Sequence, residues 1–100
     1  MTRNISLSVN DTPIKLDYFV AGYLDHVTGG IVSSLKGADA IKNLELNIDE
    51  DGNVTINLNG ADIPLNFFAT EIVKSTVEGI VAPLKGIDGA INKVELKIER

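Results

Sequence analysis

When the same apolar, turn and capping residues recur along a chain at a fixed offset, each copy meets the same local preferences and the two are expected to fold alike. Shifting this sequence by 49 positions brings Asn4 onto Asn53, Asn10 onto Asn59, Ile14 onto Ile63, Leu16 onto Leu65 and Phe19 onto Phe68. The match runs on through Gly30, Ile31 and Val32 onto Gly79, Ile80 and Val81, and through Leu35, Lys36, Gly37 and Asp39 onto Leu84, Lys85, Gly86 and Asp88. After one inserted residue the offset becomes 50, and Ala40, Ile41, Glu45, Leu46 and Ile48 meet Ala90, Ile91, Glu95, Leu96 and Ile98. Roughly a third of the aligned positions are identical, well above what an arbitrary shift yields. The copies span residues 4–50 and 53–100. With 100 residues there is room for one hydrophobic core, so both copies are expected in a single domain, 1–100.

Within each copy the hydrophobic period changes in the same order. Ile5, Leu7 and Val9 alternate with Ser6, Ser8 and Asn10, as in a half-buried strand. The turn-forming Asn10-Asp11-Thr12-Pro13 follows, and Ile14 and Leu16 are expected to open a second strand, closing a hairpin. The second copy repeats this with Val54, Ile56 and Leu58, then Asn59-Gly60-Ala61-Asp62, then Ile63 and Leu65. Asp17 and Asn66 stand at equivalent positions and are strong helix N-caps. From there apolar residues step by three and four, as Val20, Tyr23, Leu24, Val27, Ile31 and Leu35 and as Ile72, Val73, Val77, Ile80 and Leu84. Each helix is expected to end at Lys-Gly, at Lys36-Gly37 and Lys85-Gly86, with Pro83 in the last turn of the second. Leu44, Leu46, Ile48 and Val94, Leu96, Ile98 then alternate with polar residues as closing strands. The linker Glu50-Asp51-Gly52-Asn53 contains the Asp-Gly pair of tight hairpins and should turn the first closing strand directly into the next copy.

Every strand thus has one apolar and one polar face. This predicts an α+β fold in which two tandem ββαβ repeats form a two-layer sandwich: about six mainly antiparallel strands, with two helices on one face. A small closed barrel of the double-psi type has the same element order and is the topological alternative. The apolar arc of each helix spans about 200°, against the roughly 100° stripe of a surface helix. The excess calls for the helices to pack side by side through Gly30 and Gly79, for a second subunit, or for an apolar ligand.

Composition narrows the function. Nine Lys and Arg against fourteen Asp and Glu, with no basic cluster, lack the footprint of a nucleic-acid binder. No apolar run approaches a membrane span and the first residues do not form a signal-peptide core, so a cytoplasmic location away from membranes is expected. The absence of cysteine removes thiolate metal sites and cysteine nucleophiles.

No set of residues carries a reaction. His26, next to Asp25, is the only histidine and reads as a solvated helix residue. The serines lack a Gly-x-Ser-x-Gly elbow. Asn47 to Gly52 resembles the opening of a calcium loop, but Leu58 stands where a bidentate Glu is required, so a charged hairpin turn is the better reading. Glu45 and Glu95 hold matching positions on the polar face and would share a proton or metal only if brought together. Asn4-Ile5-Ser6 and Asn53-Val54-Thr55 fit the glycosylation pattern but read as strand entries. The paired Lys-Gly-x-Asp sits at helix C-termini, where the field repels phosphate. No catalytic residue, metal site or cofactor is expected, and an enzyme is the less favoured class.

The expected function is that of a small, soluble, non-enzymatic interaction or structural module that self-associates into a homo-oligomer. The alternative is a carrier holding a small apolar ligand between helices and sheet, lined by Phe19, Tyr23, Phe67, Phe68 and Ile72. Those five side chains read most simply as core. Residues shared by both copies have structural explanations, so the repeat acts as a filter. The unshared residues Tyr23, Asp25, His26, Glu71, Lys74 and Pro83 are where the copies diverge.

Overall fold

The period-two segments are strands and the three-four segments helices in the computed structural model, which describes residues 4–36, 40–84 and 90–100. In chain order the elements are β1 (Asn4–Val9), β2 (Thr12–Pro13), α1 (Tyr18–Lys36), β3 (Asn43–Ile48), β4 (Val54–Leu58), β5 (Ala61–Asp62), α2 (Phe67–Val81) and β6 (Val94–Glu99). The fold is α+β, with one open antiparallel sheet in the order β2-β1-β6-β3-β4-β5. The closed-barrel alternative is overturned, because β2 and β5 lie at opposite ends of that order and do not pair.

The helices start where the caps predict. The Val20 backbone N–H donates to Asp17 Oδ1 at 2.7 Å, and the Ala69 N–H donates to Asn66 Oδ1 at 2.7 Å. Each cap satisfies one of the amide groups that a helix leaves without a partner in its first turn. Helix α1 is described as far as Lys36, whereas α2 stops at Val81, ahead of the expected Lys85-Gly86, with Ala82 as its C-cap. The break falls just before Pro83, which has no amide hydrogen to continue the ladder. The expected termini at Gly37 and at Lys85-Gly86 lie outside the described residues.

Both hairpins are tighter than the sequence suggests. Asn10 and Asp11 have φ of 51° and 65°, and Asn59 and Gly60 have φ of 52° and 90°. Positive φ at both central residues is the two-residue turn whose twist matches the flanking strands. The returning strands are therefore already paired at Thr12 and Ala61, and β2 and β5 last only two residues each. The second strand of each hairpin, expected to start at Ile14 and at Ile63, instead starts two residues earlier and ends before them. One more hydrogen bond follows each ladder, from Ile14 N to Leu7 O and from Ile63 N to Ile56 O, before the chain leaves for the helix.

The long-range pairing crosses between the halves. β1 pairs with β6, and β4, reached by the Glu50 to Asn53 turn, pairs with β3. At the centre of the sheet Leu46 stands opposite Leu96, flanked by Leu44 opposite Ile98 and Ile48 opposite Val94. Exchanging residues by the 50-residue offset leaves this register unchanged, so the ladder has a twofold centre at Leu46–Leu96. Neither first strand hydrogen-bonds to the closing strand of its own half.

One face of the sheet carries the core. Leu7, Val9, Leu44, Leu46, Ile48, Ile56, Leu58, Val94, Leu96 and Ile98 are buried, while their alternating neighbours are exposed or half-buried. The helices meet that face through fully buried Leu24, Thr28 and Val32 on α1 and Val73, Val77 and Val81 on α2, equivalent positions under the 49-residue offset, with Val20, Ile31, Leu35 and Ile80 half-buried beside them. Each fully buried Leu, Ile or Val contributes roughly 1.5–3 kcal/mol relative to exposure. The expected side-by-side approach of Gly30 and Gly79 does not occur, since a Cβ built on either would meet nothing within 4 Å.

Candidate functional site

Much of each apolar arc is buried or half-buried against the core, and the exposed remainder lies towards the helix starts. The exposed large hydrophobic residues are Tyr18, Phe19 and Tyr23 on α1 and Phe67, Phe68 and Ile72 on α2. These are the same three positions 49 residues apart. Phe19 is 73% and Phe68 70% exposed, and Tyr18 is 97% exposed, so the expectation that such side chains are ordinary core is overturned for Phe19, Tyr23, Phe67, Phe68 and Ile72. The reason is local. At 3.6 residues per turn, Tyr18, Phe19 and Tyr23 stand roughly 100–140° round the helix from buried Leu24, and Phe67, Phe68 and Ile72 the same from buried Val73, so they turn away from the core.

On α1, Phe19 and Tyr23 are one turn apart and their rings stack, with centroids 6.1 Å apart and planes inclined by 26°. They wall a groove of about 730 Å³ with Tyr18, Ala21, Gly22 and His26 from the same helix, Leu16 ahead of it, and Asn4 and Ile5 of β1. Gly22 leaves a gap in the helix surface, since a Cβ there would meet nothing within 4 Å. Of the five residues expected to line one ligand site, Phe19 and Tyr23 share this groove, whereas Phe67, Phe68 and Ile72 do not line it. Position 71, the counterpart of Gly22, is an exposed Glu. Tyr18 was not among the residues singled out from the sequence, although its pairing with Phe67 at the repeat offset was a usable signal.

The outer edge of the sheet adjoins the groove. β2 pairs only with Ser8 and Val9, so among the described residues no strand covers Asn4 to Ser6 on that side. The other end is alike, with β5 pairing only with Asn57 and Leu58.

The remaining polar candidates are structural. Asp25 is 1% exposed, and Arg100 Nη2 and Nε reach its Oδ1 at 2.8 and 2.9 Å, while Nη2 also donates to the Asp25 carbonyl. The pair ties α1 to the end of β6. Gly29 makes room for it, as a Cβ there would stand 2.9 Å from Arg100 Nη2. His26 is exposed at the groove wall. Glu45 and Glu95 are not brought together as a pair, since Glu45 faces Lys97 and Glu95 faces Asn47. Their ammonium partners are Lys97 at 3.9 Å and Lys93 at 3.7 Å.

The calcium-like segment is a sealed turn. Asp49 Oδ1 accepts from the Asp51 and Asn53 amides, and Oδ2 accepts from Asn53 Nδ2. These bonds, led by the Asn53 backbone amide, hold the Asp49 carboxyl below its ordinary value of 3.8. Among the described residues no group of three or more His, Cys, Asp or Glu is placed to hold a metal, and no helix is long and apolar enough to cross a membrane.

Two asparagines do what the sequence did not suggest. Asn10 Oδ1 accepts from the Asn92 and Lys93 amides and its Nδ2 donates to Ala90 O. Asn59 Oδ1 accepts from the Lys42 and Asn43 amides and its Nδ2 donates to Ala40 O. Each hairpin tip therefore clamps the entry to a closing strand in the opposite half. Beside the first clamp, Lys93 donates to Asp11 at 2.8 Å, and that bond holds the ammonium above its ordinary 10.5. No family model, no curated protein and no solved structure matches the chain.

Proposed function

We propose that the chain is a non-enzymatic interaction module, one domain built as two tandem ββαβ copies in a two-layer sandwich, which associates with further copies of itself through the apolar helix starts. The observation that supports this reading is the coincidence of Tyr18, Phe19 and Tyr23 with Phe67, Phe68 and Ile72. Exposed apolar side chains scattered singly are ordinary on any surface, but a set of three that recurs at the repeat offset is not scatter. By their exposures each set presents about 400 Å² of largely apolar surface, as large as the biggest apolar patch on a typical monomer. Such surface costs solubility and adds little to the fold, so its duplication fits a contact made outside the chain.

Sedimentation velocity from micromolar to near-millimolar protein tests this. Larger species should grow with concentration, and Phe19→Lys together with Phe68→Lys should abolish them while leaving the melting temperature close to that of the parent. A parent chain that stays monomeric throughout would refute the reading.

A second reading, a carrier of a small apolar ligand, draws on the α1 groove alone. Its volume of about 730 Å³ lies within the range of small-molecule sites, and stacked Phe19 and Tyr23 offer an aromatic wall. Fatty acids and planar aromatic compounds should then raise the melting temperature, with the gain lost in Phe19→Lys. No shift with any of them would set this reading aside.

A further inference from the structure

The two helix-start patches share their apolar positions and differ in what flanks them. We propose that they are complementary halves of one contact: the α1 groove of one copy receives the α2 patch of the next, and the copies join head to tail. This rests on the self-association reading above and deepens it by naming the partner surface.

Shape and charge both favour the unlike pairing. The α1 patch is concave, because Gly22 leaves a gap between Phe19 and Tyr23 on one side and Ile5 on the other. Among the described residues that line it there is no carboxylate, the exposed Asp17 cap standing just ahead of Tyr18, while Asn4, His26 and the tyrosine hydroxyls supply hydrogen-bond donors. On α2 the position of Gly22 is taken by Glu71, four residues after Phe67 and therefore on the same helix face. That patch carries an exposed carboxylate where the α1 patch has a glycine. The next cation along α2, Lys74, has its ammonium group at the β3–β4 turn, beside Gly52.

Two α2 patches meeting across a twofold axis would bring Glu71 against its own copy, and like charges in a closing interface are costly. Two α1 grooves meeting would leave both gaps unfilled, with the packing contacts of their walls lost. A Glu71 side chain entering the Gly22 gap avoids both penalties and meets donors there.

The area suffices for a second copy. One patch of each kind buries about 800 Å² of largely apolar surface, close to the apolar share of a standard interface of about 1,600 Å². The same molecule cannot satisfy both halves itself. The groove is walled by β1, α2 packs on β4, and two strands lie between, a separation of about 14 Å across the sheet. Contact between unlike patches on different copies builds a chain or a ring when each pair shares one contact, and a closed twofold pair when both contacts are exchanged.

Complementation between single variants decides the matter. Phe19→Lys blocks the groove and leaves the α2 patch, and Phe68→Lys does the reverse. Both positions are solvent-exposed, and thermal melts establish that each variant folds. Each variant alone should sediment as a monomer. Their equimolar mixture should give a one-to-one dimer that grows no further, since one free groove meets one free patch and the remaining halves are blocked. Glu71→Lys should weaken assembly of the otherwise unaltered chain by tenfold or more in midpoint concentration. A Phe68→Lys or Phe19→Lys protein that dimerises alone would overturn the unlike pairing while leaving self-association standing. A monomeric parent chain would instead overturn the reading beneath it.

Discussion

Replacing Asn59 by Gly isolates the asparagine clamp. Its side chain makes three hydrogen bonds, accepting from the Lys42 and Asn43 amides and donating to Ala40 O, each at 2.9 Å. Glycine tolerates the φ of 52° at this position, so the substitution removes the clamp without backbone strain, which alanine would add. Net hydrogen-bond contributions run from about 0.5 to 1.5 kcal/mol, and at an exposed position water replaces part of each. The three together should contribute about 2 kcal/mol. For a domain of this size that lowers the melting temperature by roughly 10 °C.

Urea unfolding at equilibrium provides the measurement, with the midpoint lowered and the slope unchanged. Asn10→Gly removes the matching bonds to Ala90, Asn92 and Lys93 and should cost about the same. Because the clamps share no partner, the double variant should lose the sum to within about 0.5 kcal/mol. A loss below about 0.5 kcal/mol for either single variant would refute the reasoning, since water would then serve the closing-strand entries as well as the asparagine does.

The polar contacts at Arg100, Asp49 and Lys93 set three further outcomes. Arg100→Ala removes the guanidinium that ties Asp25, 1% exposed, to the end of β6; Arg100 is itself partly exposed, so the expected loss is about 2–4 kcal/mol in urea unfolding. An Arg100→Ala protein as stable as its parent would show that the pair does not anchor α1. The Asp49 carboxyl is depressed in the folded state, so its contribution is present above the unfolded value of 3.8 and is lost as pH falls through the lower folded value. A carboxyl titration followed by NMR should place the Asp49 midpoint below 3.8, and Asp49→Asn should flatten the acid limb of stability. Lys93 behaves in the opposite sense: its contribution persists up to 10.5 and is lost as pH rises through the higher folded value.

Legibility in the sequence followed the range of the interaction. The caps at Asp17 and Asn66 act over three residues, and the strand faces depend on alternation alone; both are read from neighbouring residues. Hairpin turns were legible as composition, but not their length, because Asn10-Asp11-Thr12-Pro13 contains turn residues at every position while positive φ selects only the first two. The candidate site was legible as an excess of apolar surface. Its placement was not, because a helical wheel shows which side of a helix is apolar and not how much of that side the sheet covers.

The sequence by itself determined the order of the strands and helices, the apolar face of the four longer strands and the 49-residue offset that sets Tyr18, Phe19 and Tyr23 against Phe67, Phe68 and Ile72. Only the tertiary structure decided that β1 pairs with β6, that Asn10 and Asn59 clamp the opposite halves, and that Asp25 meets Arg100. Those contacts join residues up to 95 positions apart, as Asn4 and Glu99 are. Their partners are chosen by which arrangement closes the core and satisfies the backbone together, and no local preference encodes that choice.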